Sequence, residues 1–405
     1  VGKKLYSYIY LQGTLDYDRD FGKHNVSAAL VGTRQQTVNG NNGDLLASLP
    51  FRNLGLSGRA TYAYDSRYYF EVNFGYNGSE RFAPDHRWGF FPTVGGAWVV
   101  SNEKFWTGGL ADIFTRLKFR GSYGLVGNDN IGSQRFFYLS SVQPNSGPQV
   151  YFGTNNGFGL QGTTIQAYPN PDVTWETSRK SNLALEMTIA NKLNITAEVY
   201  HENRDNILIR RGYIPVNAGI ENAANNNLQA NLGKAKASGL DLHADYKQDI
   251  SKNLWISVMG NLTLTSNETV FTEEPEYKYA YRSRIGQPID QSYGLIAERL
   301  FVDDKEAANS PTQLFGSDGG RPVGGDIKYR DVNGDGIING DDVVPIGLPS
   351  KPEVIYGFGF SLGYKSFDLS AFFQGLARES FFIDPNGTAP FVNNAQLLQV
   401  YADNH

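Results

Sequence analysis

Leu193-Asn-Ile-Thr-Ala-Glu-Val-Tyr-His-Glu202 sets Leu193, Ile195, Ala197 and Val199 at one parity, with Asn194, Thr196 and Glu198 between them. Side chains alternate across a β-strand, so this stretch has one apolar and one polar face. Val354–Tyr364 repeats the pattern: Val354, Tyr356, Phe358, Phe360, Leu362 and Tyr364 share one face, and Ile355, Gly357, Gly359, Ser361 and Gly363 the other. The same alternation recurs along the chain. A sheet apolar on its outside and small or polar on its inside is what a strand-built membrane span requires, because in hydrocarbon every backbone polar group needs a partner within the protein.

Composition agrees. The chain has 405 residues, 45 Gly, 24 Tyr and 25 Phe, with 40% hydrophobic residues. No run of about 18 apolar residues occurs, so no transmembrane helix is expected. A barrel conceals its membrane signal, because every second residue is polar. The net charge of -5 argues against nucleic acid as a partner. Cysteine is absent, which excludes disulfides and thiolate metal sites. The start, Val1-Gly2-Lys3-Lys4-Leu5, lacks the apolar stretch of a signal peptide, and Tyr401–His405 follows a loop-like stretch. The expectation is an internal segment of a longer protein.

Counted by alternation, about twelve strands are expected. They are Leu5–Asp18, Asn25–Gln36, Leu56–Tyr64, Tyr68–Tyr76, Thr93–Val100, Leu117–Val126, Trp175–Ile189, Leu193–Asn203, Asn231–Asp249, Trp255–Ser266, Val354–Tyr364 and Phe367–Leu376. Short turns near Asp20–Lys23, Asp65, Ala190–Lys192, Ile250–Lys252 and Lys365-Ser366 alternate with long loops at Thr37–Gly55, Gly127–Thr174, Arg204–Ala230 and Asn267–Glu353. Short periplasmic turns and long extracellular loops characterise outer-membrane barrels. Tyr6, Tyr8, Tyr62, Tyr64, Tyr68 and Tyr69 are assigned to the interfacial aromatic girdle. Asn222–Asn231 reads as a polar loop.

One motif carries ion chemistry. In Asp331-Val-Asn-Gly-Asp-Gly-Ile-Ile-Asn-Gly-Asp-Asp342, oxygen-bearing side chains fall at Asp331, Asn333, Asp335, Asn339 and Asp342, with Gly336 at the sharp turn. That is the spacing of an EF-hand-type calcium loop, in which Ile337 need supply only its carbonyl. Ile338 should anchor the loop beneath a structural Ca2+ ion, and Asp342 stands where such loops usually carry Glu. The competing reading is a Gly/Asp-rich turn that binds nothing. His24, His86, His201, His243 and His405 show no metal spacing and no partner nucleophile, so no enzyme is expected.

Five blocks together resemble one family, the SusC/RagA-type TonB-dependent outer-membrane transporters. They are Tyr76–Phe82, Arg87–Trp98, Leu117–Asn128, Asn170–Glu176 and Gly325–Gly336, the last continuing to Ile346-Gly347. The resemblance covers nearly the whole chain. It implies an all-β fold, a transmembrane antiparallel barrel of about 22 strands, of which residues 1–405 would supply about twelve, without the plug domain and closing strands. The calcium-type loop at 331–342 would lie within an extracellular loop. The implied activity is active import of an oligosaccharide or oligopeptide across the outer membrane of a Gram-negative bacterium. The implied partners are TonB, a SusD-like lipoprotein lid and outer-membrane lipid, with a dimer of transporter–lid pairs as one arrangement. Which residues contact substrate is open. The alternatives are a passive closed barrel or adhesin of about twelve strands, and a soluble surface-binding protein.

Overall fold

The computed structural model describes residues 5–40, 45–132, 135–212, 228–313, 321–383 and 399. Twelve long strands form a single sheet in chain order, each hydrogen-bonded to its sequence neighbour. They are β1 (Leu5–Phe21), β2 (His24–Gly40), β3 (Phe51–Tyr64), β4 (Tyr68–Ser79), β5 (Trp88–Val99) and β6 (Phe114–Asn128). The remainder are β7 (Glu176–Ile189), β8 (Leu193–Arg210), β9 (Gln229–Ser251), β10 (Leu254–Phe271), β11 (Val354–Tyr364) and β12 (Phe367–Ala377). The ladders from β1 to β10 run antiparallel. Among the described residues no helix is long and apolar enough to cross a membrane.

All twelve expected strands are present, most of them longer than expected. β1 continues past Asp18 to Phe21, β2 to Gly40, β8 past Asn203 to Arg210 and β10 past Ser266 to Phe271. The reason is physical. Alternation reports only the part of a strand with one face in an apolar medium, whereas the hydrogen-bond ladder continues where both faces are wet. β9 is 23 residues long, about twice what a tilted bilayer crossing needs. The expected loop at Thr37–Gly55 accordingly shrinks to residues 41–50. Of the expected Asn222–Asn231 loop, residues 222–227 lie outside the described residues, and Gln229–Asn231 open β9. Residues 1–4 and 401–405 also lie outside them.

β5 begins at Trp88, five positions before the expected start, and it contains Pro92. Proline cannot donate to a ladder. β5 pairs with β4 along nearly its whole length but with β6 only over Thr93–Val99, so Pro92 sits where the second ladder has ended.

The tight turns are built on left-handed residues. Asp65 and Ser66 have φ of 52° and 53°, and Ala190 and Asn191 have 50° and 56°. Two consecutive positive φ values give the turn whose twist matches that of the flanking strands. The alternation of connection lengths is not strict. Residues 80–87 are a short connection at the long-loop end, and residues 100–113 a long one at the turn end. The latter holds a one-turn helix, Gly109–Ile113, after a 3₁₀ turn at Val100–Asn102. The strict parity expected from sequence is therefore corrected at this pair. The 129–175 connection carries two small hairpin-like pairings of its own.

The chain divides into two compact units: residues 1–289 with 356–374, and residues 290–355 with 375–405. The second contains small two-stranded pairings. Tyr293–Gly294 meets Val344–Pro345, Ala297–Leu300 meets Ile327–Tyr329, and Thr312–Gln313 runs parallel to Ile337–Ile338. Its buried residues include Phe301, Ala307, Ile338, Asp342 and Val344.

Candidate functional site

The register sorts the side chains of the large sheet onto two faces of opposite chemistry. One face carries Phe70 and Val72 of β4, Val94 and Trp98 of β5, Phe119 and Tyr123 of β6, Leu183 of β7 and Val199 of β8. These residues are exposed, Phe70 at 53% and Leu183 at 66%. On β11, Tyr356, Phe358 and Phe360 are exposed while Gly357 and Gly359 between them are buried. Large apolar groups exposed over a whole sheet face, with charges shielded on the other, reverse the order of a water-soluble protein. The aromatic assignment divides accordingly. Tyr62, Tyr64 and Tyr68 stand on the apolar face at the turn end, with Tyr64 paired to Tyr68 and Tyr68 to Trp98. Tyr6, Tyr8 and Tyr69 share parity with Gln12 and Glu71 on the polar face, which corrects their place in the girdle.

The polar face carries a belt of cross-strand charges. Arg59 Nη2 lies 2.6 Å from Glu71 Oε2, and Asn73 Nδ2 donates to Glu71 Oε1 at 2.7 Å. On the neighbouring strands Glu186 gathers Lys118 Nζ at 3.2 Å, Arg120 Nε at 3.0 Å and Arg116 Nη2 at 3.7 Å. Arg120 also bonds Glu198, which accepts from Asn182. Further along, Asn194 Nδ2 donates to Asp245 Oδ2 at 2.8 Å, and Thr263 Oγ1 to Asp241 Oδ1 at 2.7 Å. His243 Nε2 is 3.5 Å from Asp245 Oδ1. Charges within a membrane span must face a wet or protein-filled interior. This wall therefore suits the passage or contact of polar matter. Lys118, Arg120 and Glu186 escape a reading of single strands, because the pair Lys118–Glu186 exists only once the register between β6 and β7 is known.

Four of the five blocks that carried the resemblance, those between Tyr76 and Glu176, meet in one aromatic knot at the long-loop end. Phe82, Phe91, Phe137, Val173 and Trp175 form a buried cluster. Trp175 stacks obliquely on Phe82 and edge-on to Phe91, both at 5.3 Å, and its Nε1 donates to the Arg87 carbonyl at 3.2 Å. Gly127 is required here, since a Cβ on it would stand 1.9 Å from Phe91 Cζ. The knot ties the 80–87 and 129–175 connections to the sheet.

The acidic loop folds as a self-bonded turn. Asp331 Oδ1 and Oδ2 accept from Gly334 N at 2.7 Å and Gly336 N at 2.8 Å. Asn333 Oδ1 accepts from Asp335 N and Asp335 Oδ1 from Ile337 N, each at 2.8 Å. Gly334 and Gly336 take φ of 76° and 81°, the left-handed turn conformation. Ile338 is fully buried. Asn339 Oδ1 accepts from Asp341 N at 2.6 Å. Asp342, also fully buried, accepts from Val332 N at 2.8 Å and Asn333 N at 3.4 Å through Oδ1, and from Asn339 N at 2.9 Å through Oδ2. The donor set of carboxylates, amide oxygens and the Ile337 carbonyl suits a hard cation. Among the described residues, however, no group of three or more His, Asp or Glu side chains is gathered to hold a metal. Asp342 in particular is satisfied by backbone N–H groups. Each bonded carboxylate oxygen retains a second lone pair, so Asp331 and Asp335 keep capacity for an ion.

In the same unit Glu306 is a second anchor. Its carboxylate takes Arg299, Val302 N at 3.0 Å and Lys328 Nζ at 3.0 Å. These partners, Arg299 first, lower its pKa to about 2. A carboxylate depressed on folding contributes stability above its unfolded value, here near 4.5, and loses that contribution as pH falls toward about 2. Amide exchange around Asp303–Ala308 is expected to quicken across that window. Glu306→Gln should remove the pH dependence and leave exchange fast throughout. Unchanged protection of the wild type down to pH ~2 would contradict the assignment.

The fold and its two faces have counterparts among known proteins. Residues 3–388 match the family described as TonB dependent receptor-like, beta-barrel. TonB-dependent receptor P26 of Formosa agariphila is 31% identical over 330 residues, covering 78% of this chain and 31% of that protein. SusC of Bacteroides thetaiotaomicron is 26% identical over 319 residues, covering 77% of this chain and 30% of that protein. The solved RagAB peptide transporter superposes with a TM-score of 0.68 at 20% identity, over 93% of this chain and 42% of that one. The chain thus spans less than half the length of each of these proteins. With an apolar face turned outward, a charged face turned inward and a family match over almost its full length, the chain belongs to the TonB-dependent receptor β-barrel family and is a transmembrane part of an outer-membrane barrel.

Proposed function

We propose that this chain is part of the wall of an importer that carries a bulky polar nutrient, an oligopeptide or oligosaccharide, across the outer membrane with energy delivered through TonB. The observation that carries this reading is the charged belt around Glu186 on the inward face, combined with connections as long as 129–175 and 272–353 at one end of the strands. A passive pore needs the belt but not the long connections. Likeness to SusC and to the RagAB peptide importer supports a SusD-like lipoprotein as the lid over that end, and a pair of transporter–lid units as the assembly. Uptake of labelled oligopeptides and oligosaccharides by cells carrying the intact protein tests the reading. Uptake should stop when TonB is deleted, and the ligand class that accumulates identifies the substrate. Accumulation indifferent to TonB would establish a passive channel instead.

We further propose that Asp331, Asn333, Asp335, Asn339 and Asp342, with the Ile337 carbonyl, hold one structural Ca2+ on the extracellular side. The compact turn and its left-handed glycines support this. Calorimetric titration of the intact protein should give a Kd of about 10⁻⁴–10⁻³ M, as for exposed extracellular modules. Asp331→Ala with Asp335→Ala should abolish the heat and leave the barrel folded. No binding in millimolar calcium would show that the hydrogen bonds alone close the loop.

A further inference from the structure

The connection between β5 and β6 is anomalous in place and in chemistry. It lies at the end where the other described connections are tight turns, yet it runs from Val100 to Ile113. Its position relative to the sheet faces is fixed by Glu103. That carboxylate accepts from Tyr68 Oη at 2.5 Å, Trp98 Nε1 at 3.1 Å and Arg67 Nη1 at 2.8 Å. Tyr68 and Trp98 are cross-strand partners on the apolar face, and Trp98 is paired in turn with Phe119. The segment therefore leaves the sheet on the lipid-facing side, not toward the charged belt.

Both ends of the segment are secured. Asn102 Nδ2 donates to the Ser66 carbonyl at 2.7 Å, Trp106 Nε1 to the Phe114 carbonyl at 3.0 Å, and Ala190 N to the Ile113 carbonyl at 2.8 Å. Its apolar side chains nonetheless have little to pack on: Phe105, Leu110 and Ile113 are 66%, 60% and 52% exposed. An ordered chain of charges ends at Glu103, the start of the segment: Lys23 to Asp65 at 3.0 Å, Asp65 to Arg67 at 2.9 Å, and Arg67 to Glu103.

We propose that residues 103–113 form an interfacial membrane anchor, lying in the headgroup layer of the leaflet at the turn end with Phe105, Leu110 and Ile113 entering the lipid. Aromatic residues whose N–H or O–H is bonded at one side while the ring meets hydrocarbon favour this depth. A short apolar segment bordered by charge lies in the interface and does not span. Lipid is the occupant because Glu103 ties the segment to Trp98, whose cross-strand partner Phe119 belongs to the lipid-facing surface. Glu103 acts as the clasp, its carboxylate holding the segment against the ring of aromatic groups and joining two hairpins of the rim.

The test uses the intact protein in lipid vesicles. Single cysteines at Leu110, at Val72 on the mid-strand apolar face and at Lys365 in a tight turn, each introduced after replacement of any cysteine outside residues 1–405, carry a fluorophore. Lipids bearing a quencher near the headgroup or near the chain end report depth, and iodide reports water. The Leu110 probe is expected to be quenched about twofold more strongly by the shallow quencher than by the deep one, the reverse of Val72. Leu110→Ser should leave folding unchanged and loosen the anchoring, seen as increased iodide access to a fluorophore on a cysteine at position 105. Iodide quenching at Leu110 equal to that at Lys365, with no lipid quenching, would overturn the anchor and leave a periplasmic protein as the partner of the patch. Equal deep and shallow quenching would also overturn it. Failure of lipid to quench Val72 would overturn the membrane placement of the sheet itself, and the anchor with it.

Discussion

Leu183→Arg is expected to cost about 2–4 kcal/mol of folding stability when the intact protein is folded into bilayers. The position is 66% exposed on the apolar face, so the guanidinium would enter hydrocarbon rather than protein. Arg at Ala184, one residue along, would project beside Arg120 and Glu198 on the charged face and avoid the lipid altogether. It should cost through crowding alone, since Ala184 is buried. Denaturant titration of the two variants in thin-chain lipid vesicles separates these causes. The Leu183 penalty should shrink when the bilayer is thinned, and the Ala184 penalty should not. Equal penalties that ignore lipid thickness would contradict the assignment of the faces.

Glu186→Ala is the second substitution with a large expected effect. It leaves Arg116, Lys118 and Arg120 around a point that no longer carries negative charge. Removing one partner of a buried pair costs about 3–5 kcal/mol, because the survivors stay desolvated and uncompensated. Glu186 is about one-quarter exposed, so screening brings the expectation down to about 1–3 kcal/mol. Lys118→Met in the same background should recover part of the loss, and a double-mutant cycle measures how much. Strict additivity of the two substitutions would show that the belt is a set of independent solvated charges.

The strands were legible in the sequence because a bilayer imposes a period of two on each of them. Leu193–Val199 and Val354–Tyr364 could be read directly, and the structure places their apolar positions on one face. What alternation could not show was what lies beyond the apolar slab. The outer part of β8, from Arg204 to Arg210, is paired with β9 although its pattern is broken by polar residues and a register shift. β5 was found only from Thr93 onward, because Pro92 marks the end of its second ladder. The candidate site divided in the same way. The six residues of the acidic loop were legible because a tight loop keeps its chemistry contiguous in sequence. The charged belt was not, because Lys118 and Glu186 are neighbours only through a register that no single strand encodes. Glu103 was missed for the same reason, since its partners Arg67, Tyr68 and Trp98 lie on two other strands and a turn.

The strict chain order of the sheet has a consequence for assembly. Because each strand is bonded to its immediate predecessor, the structure can grow by adding hairpins one after another, with no step waiting for a distant partner. The entropic cost of each addition is then the closure of a single connection, and it rises by only about 0.6 kcal/mol for each doubling of length. Five of the eleven steps close across two or three residues. The longest step is the addition of β11 to β10, which must bridge everything between Phe271 and Val354. Much of that span, residues 290–355, condenses around Phe301, Ile338 and Asp342 within its own compact unit. A preformed knot shortens the slack to be gathered. Nascent β10 would then offer its open edge to the bilayer for less time before β11 arrives to cover it.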